Sequence, residues 1–441
     1  MILPLVMTAL LAPGLSLGAE STTLDNGLVV LVSPDHTVPG VAVDLWYQVG
    51  SRDEAPGRTG FAHLFEHLMF MGARHAPYPE FDTIMEAAGG VNNAFTNEDC
   101  TNYHEVGPAN LLETFLWLEA DRLATLDAMM TADKVQAQRL VVRNERRQSY
   151  ENRPYGMAEL VIQEQLFPKG HPYSWPVIGS HEDLEAATLA DVVAFFRTWY
   201  VPNNAVLAVV GDVEPARVFE LARKYLGFIP RRELPARVKP ATYAMPAAKR
   251  VSLTDRVEAE KLIIAWPSPA LATQADAEAD LLAATLARGK ASRLYERLVH
   301  ERQLATSVRA MQRSMELQSF FVIEAMAAPG HTTQELEKVI DEELARLVAG
   351  GPTQAEIDSA RARHESDVAR ELQGLRSRAQ QLAQYQAQWG DAGALARDLE
   401  RYQRSTPASQ RAAAATLFVP GRLVVEVKPA PPGRPVTGGA R

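Results

Sequence analysis

The chain has 441 residues, 46% hydrophobic and 22% charged, with a formal net charge of −9. That length exceeds one ordinary core and implies at least two domains. The composition is that of a globular protein in water, and the acidic balance argues against nucleic acid as a partner. A lone cysteine, Cys100, excludes an internal disulfide and reads as a small strand residue rather than a thiol nucleophile.

Met1 to Ala19 reads as an export signal, an apolar run followed by small residues, although no Lys or Arg precedes the run. It is too short to span a bilayer, and no later stretch of eighteen or more apolar residues exists. A periplasmic or secreted protein is therefore expected. Leu28 to Val32 and Val41 to Val49 read as strands, the first after the turn signal Asp25-Asn26-Gly27.

Phe61 to Met71 follows as a helix carrying His63-Leu64-Phe65-Glu66-His67. His63 and His67 are four apart and share a face, which Glu66 borders. Composition alone would yield H-x-x-E-H about 0.03 times in this chain. Phe61, Leu64, Phe65, Leu68, Met69 and Phe70 surround the polar groups and imply burial, which costs several kcal/mol for unpartnered imidazoles and a carboxylate. A metal removes that cost. Neutral imidazoles as ligands with a carboxylate as general base is the layout of a zinc hydrolase.

A helix from Pro79 to Ala88 is stopped by Gly89-Gly90. Val91 to Thr96 and Thr101 to Val106 read as strands joined by a polar turn. Pro108 opens helix through Leu126, and Thr131 caps another to about Tyr150. Ala205 to Val210 is a strand, and Glu214 to Leu226 returns to helix. Two histidines do not make a tight zinc site, so a third ligand is expected. Glu145 shares a face with Val141, which with Val142 is expected to point to the core. By residue type alone, Glu145 reads rather as a solvated acid on a charged helix. His104 follows Tyr103 on its strand and is weighed as a further group near the site; the remaining histidines read as surface or capping residues.

Four prolines between Pro230 and Pro246 mark a linker. The second half repeats the first: a strand at Lys261 to Trp266, helices at Gln274 to Arg288 and Ala291 to His300, strands at Ala305 to Met311 and Ser319 to Ala327, helices through Leu417, and a closing strand at Leu423 to Val427. The pattern implies a duplicated α+β unit. The expected division is a signal over 1–19, a first half over 20–229, a linker over 230–248, a second half over 249–427, and a disordered tail from Lys428.

The chain resembles the pitrilysin–insulysin superfamily of inverted zinc peptidases, in particular the short-chain branch that includes mitochondrial processing peptidase and its bacterial relatives. The resemblance rests on Gly60-Phe61-Ala62-His63-Leu64-Phe65-Glu66-His67-Leu68, Asn93-Ala94-Phe95-Thr96 with Tyr103, and Asn144-Glu145. It continues through Pro176-Val177-Ile178-Gly179 and Tyr200-Val201-Pro202-Asn203-Asn204 to Gly211-Asp212-Val213. In that family the third ligand follows the second histidine by roughly 75 to 80 positions, a gap Glu145 fits. The resemblance thus implies His63, His67 and Glu145 as zinc ligands, Glu66 as general base, and a zinc metalloendopeptidase. It also implies two like halves per chain, four of which enclose a chamber, and an edge strand at Asn93, Ala94, Phe95 and Thr96 that pairs with an extended peptide.

Two positions depart from the family. Gln138 stands where many relatives carry a glutamate. Val299 and Thr306 stand where self-sufficient relatives carry an arginine and a tyrosine that bind substrate and stabilise the oxyanion; Arg297 and Arg302 lack the spacing. Losing one such donor costs about two to three orders of magnitude in rate. The departure implies a heterodimer in which a homologous partner subunit supplies the Arg and Tyr. The alternative expectation is a catalytically silent scaffold or peptide-binding subunit of the same fold. A third, a processing factor for a peptide-derived cofactor, differs only in substrate.

Overall fold

A computed structural model describes residues 17–430. The export-signal reading falls mainly on residues outside that span. Within it, Leu17 is buried and its carbonyl accepts from Ser33 Oγ at 2.7 Å.

The first half is built on strands β1 (Glu20–Thr23), β2 (Val29–Pro34), β3 (Gly40–Tyr47), β4 (Val91–Thr96), β5 (Thr101–Pro108) and β6 (Ala205–Gly211). They form one mixed sheet in the order β1-β2-β6-β3-β5-β4, which leaves β4 at an edge. Its helices are α1 (Phe61–Leu68), α2 (Glu80–Ala87), α3 (Leu112–Met129), α4 (Ala132–Arg146), α5 (Gly156–Leu166), α6 (His181–Ala186), α7 (Leu189–Trp199) and α8 (Pro215–Leu226). Residues 230–248 form neither helix nor strand.

The second half carries β7 (Lys249–Asp255), β8 (Lys261–Ser268), β9 (Ala305–Arg313), β10 (Ser319–Ala327) and β11 (Leu423–Pro429), ordered β7-β11-β8-β10-β9. With them come α9 (Gln274–Ala287), α10 (Thr333–Gly350), α11 (Gln354–Glu371), α12 (Leu375–Trp389), α13 (Leu395–Gln403) and α14 (Pro407–Leu417). The fold is α+β, two sheet-and-helix halves.

Strand alternation gives each sheet two apolar faces. In the first sheet Val43, Leu45, Leu207 and Val209 pack on α1, α3 and α8, while Leu31, Ala42, Trp46, Ala208 and Val210 meet Ala379, Leu382 and Ala383 of α12. In the second sheet Leu262, Ile264 and Ile323 pack on α9, α10 and α14. Ile263, Ala265, Val322 and Val425 meet Ala158, Ile162 and Leu166 of α5. Each half therefore lends one helix to cover the other half's sheet.

Several expectations shift. The first site helix ends at Leu68 rather than Met71, and the helix expected over Ala291 to His300 is mainly a π-helical turn at Tyr295–Glu301. The helix from Thr131 ends at Arg146 and runs on into a π-helical turn, Arg147–Glu151. Lys428 to Ala430, expected in a disordered tail, are ordered. Lys428 and Pro429 pair with Thr254 and Asp255, and Ala430 N–H donates to Asp255 O at 2.7 Å. Residues 431–441 lie outside the described span.

Candidate metal centre

α1 is held at its start by residues far outside it. Gly60 takes a left-handed conformation (φ 85°) and offers no side-chain cap. The buried Glu54 carboxylate does that work, accepting from Gly60 N–H at 3.0 Å and Ala62 N–H at 2.8 Å. A Cβ on Gly60 would lie 2.9 Å from Gly179 Cα, so only glycine permits this approach of two backbones. Along α1, Phe65 lies against Phe195, Phe196 and Tyr200, which turns His63, Glu66 and His67 away from the aromatic bed.

α4 reaches the same place from the other side. Arg146 donates to Gly179 O and to Glu151, and His181 Nε2 lies 2.8 Å from Glu151. The Pro176 to Gly179 segment thus touches the anchors of both helices. Glu145, one residue before Arg146, presents Oε2 at 3.3 Å from His67 Nε2 and 3.7 Å from His63 Nε2. Val142 is buried as expected, but Val141 is 45% exposed. Glu145 is on the α4 side that meets the α1 imidazoles, while Val141, one turn earlier, is left exposed rather than in the core.

One ligand atom from each of His63, His67 and Glu145 lies within 4.8 Å of the others. The imidazole-to-carboxylate gaps exceed the 2.7–2.9 Å of a charge-assisted hydrogen bond. They match the spacing of about 3.3 Å between ligands that sit about 2 Å from one tetrahedral ion. Two nitrogens and one oxygen is a donor set that zinc accepts. His63 Nδ1 is buried without a hydrogen-bond partner, so its ring orientation is set by what Nε2 faces. Burial brings the His63 pKa down to about 4 and keeps the ring neutral, the form that binds metal. The facing His67 holds the Glu145 carboxyl below the usual range.

Glu66 stands beside this trio. Burial pushes its carboxyl up, and a hydrogen bond from Thr96 Oγ1 to Oε2 at 2.6 Å pulls it back. Thr96 belongs to β4, so the edge strand and Glu66 are directly tied. Ala94, Phe95 and Thr96 line a cavity of about 490 Å³ with His63, Glu66 and Glu145. Asn93 turns its side-chain carbonyl onto Ala94 N–H at 2.8 Å instead.

His104 does not approach the centre. Alternation on β5 sends Tyr103 to the α1 side and His104 to the opposite face, where its Nε2 lies 3.0 Å from Arg376 Nη1 of α12. His171 is buried and stacked on Phe167 rather than at the surface. Val299 is half-buried against the second core, and Thr306 is exposed on β9. The sequence reading missed Arg309, Met311 and Arg313, which β9 places on the same cavity, and Tyr150 from the turn after α4. Alternating Arg-x-Met-x-Arg was the signal for the first three.

An H-x-x-E-H helix in the first of two sheet-and-helix halves is the architecture of an inverted metallopeptidase. Family models agree: residues 29–170 match the insulinase family (peptidase family M16) and residues 186–363 match the peptidase M16 inactive domain. The zinc protease PqqE of Helicobacter pylori is 34% identical over 376 residues, covering 84% of this chain and 83% of that protein. The chain belongs to peptidase family M16. A protease crystal structure from Helicobacter pylori superposes with a TM-score of 0.85 at 30% identity, covering 93% of this chain and 99% of the other. A peptidase M16 inactive domain from Pseudomonas fluorescens shares the fold, with a TM-score of 0.83 at 19% identity over 95% of this chain and all of its own.

Proposed function

We propose that the chain is a zinc-dependent endopeptidase that cuts unstructured peptides, acting as the metal-bearing subunit of a heterodimer. The observation that carries the reading is the convergence of His63, His67 and Glu145 beside Glu66 on one cavity. When bound there, zinc supplies Lewis acidity that polarises a carbonyl and acidifies water. Glu66 takes the proton of the attacking water on Oε1, the oxygen Thr96 leaves free, and returns it to the departing amine. The open edge of β4 offers backbone groups to an extended peptide, with the Ala94 N–H released from Asn93 as the peptide docks.

The oxyanion lacks its second-half donors in this chain, since Val299 and Thr306 stand where Arg and Tyr are needed. A homologous partner subunit supplies them, and the pair works as a chamber in the periplasm or outside the cell. Among the described residues no helix is long and apolar enough to cross a membrane.

Zinc content and peptide turnover test the reading together. About one zinc per chain is expected, removed by a chelator along with cleavage. Glu66→Gln keeps the metal and loses turnover. Affinity capture from the native cell is expected to bring a homologous chain with Arg and Tyr at the two positions, and adding it raises activity by about a hundredfold or more. The silent-subunit reading draws on the inactive-domain match over residues 186–363. A chain that holds no zinc and never cleaves with its companion present would establish it instead.

A further inference from the structure

The face of the second sheet toward α5 is only partly covered. α5 packs against β8 and β11, and the β9–β10 side opens onto the cavity. There Arg309, Met311 and Arg313 of β9 pair across strands with Glu324, Val322 and Phe320 of β10. All six line the cavity that holds His63, Glu66 and Glu145. The middle of this wall is apolar and its two ends are cationic.

Both arginines keep donors in reserve. Arg309 Nη2 donates to both oxygens of Glu324 at 2.9 and 2.8 Å, and Arg313 Nη2 to both oxygens of Glu98 at 3.1 and 3.3 Å. A guanidinium has five N–H groups, and among the described residues Nε and Nη1 of each arginine find no acceptor. The side chains are 58% and 48% exposed, whereas those of Glu324 and Glu98 are buried. Lys261 Nζ also reaches Glu324, at 2.6 Å. Three cations thus meet two carboxylates here, and the exposed layer is guanidinium. The first wall opposite carries Glu66 and Glu145, and Glu159 of α5, 3.7 Å from Arg153, also lines the cavity away from β9.

We infer that Arg309 and Arg313 are specificity-determining residues that select peptides bearing an acidic side chain near the scissile bond. The inference rests on the peptidase reading and names its substrate class. A substrate carboxylate is repelled from the wall that holds the acids and attracted to the wall that holds free N–H donors, which orients the peptide in the cavity. The two arginines lie about 13 Å apart along the strand, too far to share one carboxylate, so each reads its own position. A lysine side chain meets like charge at either.

The test uses the chain with its captured companion and matched unstructured peptides that differ only by Glu, Gln or Lys at one scanned position. The Glu peptide is expected to exceed its Gln counterpart in kcat/KM by about tenfold at one or two positions, with the gap narrowing as salt is added. Arg309→Gln leaves Glu324 paired with Lys261, and should bring the ratio of Glu-peptide to Gln-peptide kcat/KM toward one at one position, whatever the absolute rate of the variant. Arg313→Lys keeps a cation for Glu98 and should weaken the other. If the Gln variant does not fold, Arg309→Met, which keeps the aliphatic stem and removes the charge, takes its place. Binding of the same labelled peptides to the Glu66→Gln chain gives a readout free of turnover. Equal affinity for Glu and Gln peptides, a preference for Lys, or a preference unchanged in the arginine variants overturns the inference. Tighter binding of acidic peptides with no cleavage of any peptide by the wild type sinks the peptidase reading and leaves the arginines as an acid-selective peptide site.

Discussion

Thr96 shows how much one hydroxyl decides. Its donation to Glu66 Oε2 at 2.6 Å fixes which carboxylate oxygen stays free toward the cavity. Valine has nearly the same shape and the same preference for strand, so Thr96→Val removes the donor and little else. A hydrogen bond to a charged group is worth about 1.5–3 kcal/mol, so kcat should fall about tenfold to a hundredfold with KM and zinc content unchanged. Thr96→Ser should restore it. Steady-state kinetics with metal analysis checks both. The strand position of Thr96 was legible from the alternation of its neighbours. Its bond to Glu66 was not, because residues thirty apart meet only when β4 and α1 pack. Glu145 is a similar case. Its residue type favoured a solvated acid, and only the packing of α4 against α1 turns its oxygen toward both imidazoles.

At the level of elements, threonine caps mark six of the helix starts. Thr131, Thr188, Thr273, Thr332, Thr353 and Thr406 each accept from a first-turn N–H, and of these only Thr131 is read as a cap from the sequence. α2, α3, α5, α8, α12 and α13 start without a side-chain cap, and α1 takes its cap from Glu54 in the preceding loop. The cap of α11 makes a prediction. Glu356 accepts from Thr353 N–H and Oγ1 and from Nε and Nη2 of Arg293. The Arg293 guanidinium, followed by the Thr353 bonds, holds its carboxyl down to about 2 from 4.5. A lowered folded value means stability present above about pH 4.5 and lost as pH falls toward 2. After solvent screening, about 1–2 kcal/mol is expected. Thermal midpoints of the wild type and Glu356→Gln should differ at pH 6 and converge by pH 2.

Across the whole molecule, the exchange of helices ties the halves together. α12 of the second half covers the first sheet through Leu382 and Ala383, and α5 of the first covers the second through Ala158 and Ile162. Neither sheet can hide both faces using its own half. Leu382→Ala should therefore destabilise by about 2–5 kcal/mol, and the damage should register in the other half, as faster hydrogen exchange in β3 and β6. A change confined to the second half would refute this coupling. The duplication of strands and helices could be seen along the chain, because period-2 and period-3.6 patterns are local. Which helix lies on which sheet left no such trace.

The amino-acid order by itself determined the shared face of His63, Glu66 and His67 and the alternating strands. Each depends on geometry within a few residues, where one helical turn or one pleat dictates direction. The tertiary structure alone decided that Glu145 closes the trio, that Thr96 holds Glu66, that Arg309 and Arg313 face the same cavity, and that the halves trade helices. Those contacts join distant segments, and their partners are chosen by packing of whole surfaces rather than by any spacing along the chain.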